Sequence, residues 1–177
     1  MNIVVYLGSS EGKRPVFHRA AEELGAWIGT SGHTLVYGGS RVGLMGVLAD
    51  AVLEKGGEVI GIEPEFFVDD EIQHEGITQL VVTKTMSERK QRMMELGDAF
   101  IAFPGGIGTL EEIAEVMTLS KIGRLGKPFC FLNVEGYYEP LRGLLMHMAA
   151  EGFLEEPWTK TVIFAENIEE MSRVCMR

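Results

Sequence analysis

The sequence predicts an α/β protein: a doubly wound, mainly parallel sheet of about seven strands with helices on both faces. Three observations carry this expectation. Short apolar runs alternate with helix-period segments along the whole chain, an order that yields a parallel sheet. The runs lack clean period-two alternation, as expected of strands covered on both faces. Three of them end in turns rich in glycine that open onto helices, the pattern seen where a doubly wound sheet binds a ligand at its strand ends.

The elements follow in order. Asn2 to Leu7 (NIVVYL) is a β-branched run closed by Gly8-Ser9-Ser10. Arg14 to Gly29 has helical spacing, with Val16, Ala20, Leu24 and Ile28 on one face, and Gly32 ends it. Thr34 to Tyr37 is a second strand, closed by Gly38-Gly39-Ser40, and Leu44 to Lys55 a helix rich in small residues. Glu58 to Ile62 is a third strand, and the acidic, irregular stretch Pro64 to Gly76 reads as a loop or lid. Ile77 to Val82 is a fourth strand. Ser87 is placed to cap a helix that runs to about Leu96. Ala99 to Phe103, ended by Pro104-Gly105-Gly106, is a fifth strand, followed by a helix from Thr109 to about Lys121. Pro128 to Leu132 is a sixth strand, Tyr138 to Glu151 a helix closed by Gly152, Thr161 to Phe164 a seventh strand, and Ile168 onward a last helix. No repeat, linker or low-complexity tract divides the chain, so one domain over residues 1–177 is expected.

Composition narrows the function. With 46% hydrophobic residues, disorder is not expected. A net charge of −10 argues against a nucleic-acid or membrane surface, so a small anion would have to be held by local donors. No apolar run reaches the ~18 residues of a membrane span, and no secretory signal precedes the first strand, so a cytoplasmic protein is expected. Cys130 and Cys175 have no metal-ligand spacing, nor do His18, His33, His74 and His147, so no metal is expected.

The chemistry concentrates at three strand ends: Gly8-Ser9-Ser10, Gly38 to Gly46 (GGSRVGLMG), and Pro104-Gly105-Gly106-Ile107-Gly108-Thr109. Glycine lets backbone approach an anion closely, and the helix beyond offers free N–H groups and a positive dipole end. Together these make a phosphate cradle. No Gly-Lys-Ser/Thr follows, which excludes a Walker A loop, and Gly39-Ser40-Arg41-Val42-Gly43 lacks the dinucleotide spacing, so a dinucleotide cofactor is disfavoured. Glu111 and Glu112 follow Thr109. Adjacent residues point about 100° apart on a helix, so one faces outward while the other faces the crevice. Glu112, three residues after Thr109, shares its face. A carboxylate beside a phosphate cradle suits hydrolysis at a sugar carbon. Arg89 and Lys90 begin a helix where cations are unfavourable, which implies a compensating anion, either a ligand or an acidic side chain. Arg92 reads as surface.

Ser87-Glu88-Arg89-Lys90, Asp98 to Phe103 and the run Pro104 to Glu112 (PGGIGTLEE) together resemble the LOG (Lonely Guy) family of cytokinin riboside 5′-monophosphate phosphoribohydrolases, long labelled lysine decarboxylases. The family's Pro-Gly-Gly-x-Gly-Thr-x-x-Glu signature is matched in full. The resemblance implies a Rossmann-like homodimer that cleaves the N-glycosidic bond of an adenosine monophosphate derivative, with no cofactor. It implies Arg89 and Glu112 as the catalytic pair. It further implies that Lys90, Gly105, Gly106, Gly108 and Thr109 contact the nucleoside monophosphate, with Glu71 and Thr118 as further contacts; Ile107 and Ser9, and Gly39 and Gly43 across the crevice, are expected to complete the substrate site. Where the family usually has Met-His ahead of x-Arg-Lys, this sequence has Met86-Ser87, and the stretch Glu63 to Gly76 diverges. No segment stands out as a pyridoxal-phosphate lysine site. Two alternatives stay open: a nucleosidase acting on plain AMP or other nucleoside monophosphates, and a nucleotide-binding module of the same fold without catalysis.

Overall fold

In the computed structural model, which describes residues 1–68 and 73–176, seven strands form one parallel sheet. In chain order the elements are β1 (Asn2–Tyr6), α1 (Pro15–Thr30), β2 (Thr34–Tyr37), α2 (Gly43–Glu54), β3 (Glu58–Pro64), α3 (Glu65–Val68), β4 (Gln79–Thr83) and α4 (Met86–Leu96). After these come β5 (Ala99–Ala102), α5 (Ile107–Lys121), β6 (Phe129–Leu132), a 3₁₀ turn (Val134–Gly136), α6 (Glu139–Ala150), α7 (Glu156–Thr159), β7 (Ile163–Ala165) and α8 (Ile168–Cys175).

The strand order is β4-β3-β2-β1-β5-β6-β7. The chain winds outward from β1 to β4, then returns to β1's other side with β5, which puts the topological switch point between β1 and β5. Register there is Ile3 with Ala99 and Tyr6 with Ala102. Side chains alternate across the strands, so each face carries its own core. Ile3, Val5, Leu35 and Ile101 pack under α1, α2 and α8, while Val4, Tyr6, Val36 and Phe100 pack under α4, α5 and α6. This two-sided burial is why the strands read as unbroken apolar runs. Cys130 and Cys175 are free thiols buried in the first of these cores.

The differences from the sequence reading are local. Helix α4 is capped by Thr85, not Ser87: the Thr85 hydroxyl accepts from the Glu88 N–H at 3.1 Å, and the Glu88 carboxylate accepts from the Lys84 N–H at 2.8 Å. Thr85-x-x-Glu88 is a capping-box pattern two residues earlier than expected. Strand β3 runs on to Pro64, pairing Glu63 with Val82, so Glu63 belongs to the sheet instead of preceding a loop. The stretch read as irregular opens with the single helical turn α3, and further on the Gln73-His74 segment crosses the β2–α2 loop. Ser40 bridges Gln73, and the His74 N–H donates to the Gly39 carbonyl at 2.9 Å. Glu71 lies outside the described residues.

Candidate active site

A cavity of about 410 Å³ opens at the carboxyl ends of the strands, spanning the switch point. Its floor is β1 and the Gly8-Ser9 turn. One wall is the start of α5, and the other is the end of β3 with α3 and α4.

The start of α5 is built to leave its donors free. Gly106 occupies the N-cap with no side-chain cap, so the first N–H groups of the helix have no internal partner and point outward with the positive end of the helix dipole. A Cβ at Gly106 or Gly108 would meet nothing within 4 Å, so space lies over this backbone. Thr109 is buried and lines the cavity beside it, whereas Ile107 projects outward at 82% exposure. The loop before the helix is braced from below. The Tyr138 hydroxyl donates to the Phe103 carbonyl at 2.7 Å, and the Tyr137 hydroxyl donates to the Gly105 carbonyl.

The other glycines have a different job. A Cβ at Gly105 would strike the Thr109 side chain and lie 2.8 Å from the Gly8 nitrogen. Gly43 takes φ +60°, and a Cβ there would strike the Ser9 carbonyl. The three glycine turns are thus packed against one another, with Gly8-Ser9 between the other two. Ser9, Gly106, Ile107, Gly108 and Thr109 line the cavity, while Gly39, Gly43 and Gly105 hold the loops together behind it.

Arg89 and Glu112 meet inside. Arg89 Nη1 donates to Glu112 Oε1 at 2.6 Å, and Arg89 Nε donates to the Ile62 carbonyl at 2.9 Å. Both side chains are buried and both line the cavity. Burial pushes the Glu112 carboxyl above its ordinary value, and the Arg89 guanidinium pulls against that rise. Room for the guanidinium comes from Gly38, where a Cβ would sit 2.5 Å from Arg89 Nη2. The compensating anion anticipated for Arg89 is therefore an acidic side chain.

Glu111 also lines the cavity, half exposed at its edge, and pairs with Lys90, so the two adjacent acids are not divided cleanly between crevice and solvent. Lys90 also contacts Glu115 at 2.9 Å, and the hydrogen bonds it donates to these two carboxylates raise the Lys90 ammonium above its ordinary value. Lys90 sits beside the cavity wall and not on its lining. Thr118 lies further along α5, exposed, with its hydroxyl donating to the Ala114 carbonyl at 2.8 Å. No group of three or more His, Cys, Asp or Glu that could hold a metal occurs among the described residues.

Gly38 and Met45, within the glycine-rich strand end read from the sequence, line the cavity, and so do Phe67 and Glu63, which sequence reading missed. Glu63 carried a signal: it is the one charged residue at the carboxyl end of the run from Val59 to Pro64, where a doubly wound sheet places ligand groups.

Residues 45–175 match the family model described as possible lysine decarboxylase. The chain is 46% identical over 169 residues to the cytokinin riboside 5′-monophosphate phosphoribohydrolase of Rhodococcoides fascians, covering 95% of this chain and 85% of that protein. It is 40% identical to the phosphoribohydrolase LOG of Oryza sativa subsp. japonica, covering 96% of this chain and 70% of that one. Its fold is similar to that of the molybdenum cofactor carrier protein of Chlamydomonas reinhardtii, with a TM-score of 0.74 at 22% identity over 99% of this chain and 98% of that one; at that identity the likeness speaks to the fold alone.

Proposed function

The chain belongs to the LOG family, matched by both the possible lysine decarboxylase model and the phosphoribohydrolases named above, and from that premise we propose that it hydrolyses the N-glycosidic bond of an adenosine 5′-monophosphate derivative, releasing the free base (a cytokinin where N6 is substituted) and ribose 5-phosphate. The observation that carries this reading is the buried Arg89–Glu112 pair facing a cavity whose rim is an uncapped helix start.

The phosphate rests on the N–H groups at the start of α5, beside the Thr109 hydroxyl. Backbone donors suit this task because the chain's net charge of −10 gives no general attraction for an anion. The ribose then falls against Glu112, which lies one turn beyond Thr109. As the bond between the anomeric carbon and the base nitrogen breaks, positive charge grows on the sugar. The Glu112 carboxylate stabilises that charge and orients the ribose hydroxyls and the attacking water. Arg89 fixes the carboxylate's position and opposes the rise that burial imposes on it.

The same reading includes a cytoplasmic homodimer. Ile107 and Leu110, exposed apolar residues one turn apart at the cavity rim, supply a surface for a second copy, and the two free buried thiols fit a reducing compartment. No helix among the described residues is long and apolar enough to cross a membrane.

The test is incubation of the purified protein with AMP and with N6-isopentenyladenosine 5′-monophosphate, followed by chromatography. Free base and ribose 5-phosphate are expected, and the ratio of rates separates cytokinin release from general AMP hydrolysis. Binding of AMP with no base released from either compound would reduce the protein to a nucleotide-binding module.

A further inference from the structure

Four charged side chains line the cavity among the described residues: Glu63, Arg89, Glu111 and Glu112. Arg89 and Glu112 satisfy each other, and Glu111 pairs with Lys90. Glu63 alone is different. It is 1% exposed, and its Oε2 has no hydrogen-bond partner among the described residues. A buried polar atom left without a partner destabilises the fold, so an unpartnered carboxyl in a ligand cavity points to a ligand that partners it.

Position says which part of the ligand. Glu63 ends β3, and the cradle at Gly106 to Thr109 follows β5. In the order β3-β2-β1-β5 the two lie three strand spacings apart, about 14 Å at ~4.8 Å per strand. The Arg89–Glu112 pair stands between them. A nucleotide held by its phosphate on α5, with its sugar at Glu112, reaches Glu63 only with its base. The surroundings agree. Phe67 and Met86 are apolar, partly exposed residues lining the same end of the cavity, suited to the faces of a purine ring. The Ser40 hydroxyl on the same lining accepts from the Val42 N–H at 3.1 Å, and its own O–H remains free to donate.

We propose that Glu63 determines specificity for the base, accepting a hydrogen bond from the exocyclic N6–H of an adenine ring that carries at most one N6 substituent. This rests on the phosphoribohydrolase reading above. Adenine and N6-monosubstituted adenines both keep an N6–H to donate, whereas an N6,N6-disubstituted ring has none and leaves the carboxyl buried and unpaired. A site built to bond a substrate N–H rejects the analogue lacking it strongly, because its own polar group stays unsatisfied.

The experiment compares kcat/KM for N6-methyl-AMP and N6,N6-dimethyl-AMP, in the unaltered protein and in Glu63→Leu and Glu63→Gln variants. The unaltered protein is expected to prefer the monomethyl compound by about 100-fold or more. Glu63→Leu should abolish most of that preference, chiefly by losing rate on the monomethyl compound, while Glu63→Gln, which keeps an acceptor oxygen, should retain part of it. Equal rates on the two compounds in the unaltered protein would overturn the assignment without recourse to any variant. So would an undiminished preference in Glu63→Leu. In either case the hydrolase reading would survive, since base is still released. Release of base from neither compound nor from AMP would instead remove the reading on which the assignment rests.

Discussion

Arg89 Nη1 lies 2.6 Å from Glu112 Oε1 with both side chains buried, while Arg89 Nε is tied to the Ile62 carbonyl at 2.9 Å. The pair joins α4 to α5 across the ends of β3 and β1, so the same contact that positions the carboxylate also fixes the two walls of the cavity. A charge-assisted bond in a site sheltered from water is worth more than the same bond at the surface, and the cost of breaking it on one side only is correspondingly large.

Glu112→Gln tests the carboxylate's chemical part. The amide keeps the shape and can still accept from Arg89, so AMP binding measured by calorimetry should change little. Turnover should fall by ~10²–10⁴-fold, the usual worth of a positioned acid–base or charge-stabilising group. Near-normal turnover in this variant would remove Glu112 from the mechanism.

Removing one partner of the ion pair should cost more stability than removing both. Arg89→Met leaves a buried Glu112 carboxylate and the Ile62 carbonyl without their donor, and breaking a buried pair on one side costs about 3–5 kcal/mol. The double variant Arg89→Met/Glu112→Leu carries no unpaired charge and should recover much of that loss in urea denaturation. Strict additivity of the two single changes would show that the pair is not coupled as its geometry requires.

Gly38→Ala should inactivate without unfolding. Gly38 is not in the left-handed backbone region, so alanine meets no strain in φ. Its Cβ, however, would lie 2.5 Å from Arg89 Nη2 and 2.9 Å from Met45 Sδ. Both are ends of flexible side chains, so the fold can adapt by moving them, and moving Arg89 misaligns its bond to Glu112 while leaving the two charges beside each other. The expected result is a cooperative unfolding transition within about 2 kcal/mol of the unaltered protein with base release down by at least ~10-fold. Full activity would show that Arg89 can serve from another position.

How these residues stood in the sequence explains which of them could be read there. Arg89 is visible as a cation at a helix start, where cations are unfavourable, and Glu112 as a carboxylate that shares a face with Thr109 one turn past a glycine cradle; their pairing as catalytic residues is what the resemblance implies. The doubly wound sheet was visible because burial on both faces writes itself into every strand as an apolar run. Gly38 and Gly43 look alike in the sequence, yet one makes room for Arg89 and the other for the Ser9 carbonyl. Which neighbour a glycine admits depends on strands far apart in the chain, and β2 meets β1 and β3 only in the folded sheet. The cap of α4 was misplaced by two residues because Ser87 and Thr85 are both good caps, and Glu88 decides between them by reaching back to Lys84. Glu63 passed for the start of a loop because Pro64 ordinarily ends a strand, whereas β3 continues through that proline by pairing with β4.

Glu63→Gln should stabilise the protein at neutral pH, and the gain should vanish in acid. Burial raises the Glu63 carboxyl above its ordinary value of 4.5, with Arg89 opposing only in part. A carboxyl with a raised folded-state value binds its proton more tightly in the native protein than in the unfolded chain. Stability conferred by that proton is therefore fully present below pH 4.5 and is lost as pH rises through the folded-state value. Above that range the unaltered protein carries an ionised, unpartnered carboxylate that glutamine replaces with a neutral amide. The expected gain at pH 7 is about 1.4 kcal/mol for each pH unit by which burial raises the carboxyl, since glutamine removes the buried charge but not the buried polar group, shrinking toward zero as denaturation curves are repeated down to pH 4. Glu112 is raised in both proteins and cancels in the comparison. A gain independent of pH would mean that the carboxyl is not ionised in the folded protein at neutrality. A loss at pH 7 would mean that Glu63 has a stabilising partner in the folded chain. A gain that comes with impaired discrimination between N6-methyl- and N6,N6-dimethyl-AMP would mark Glu63 as a residue that costs stability and serves substrate selection.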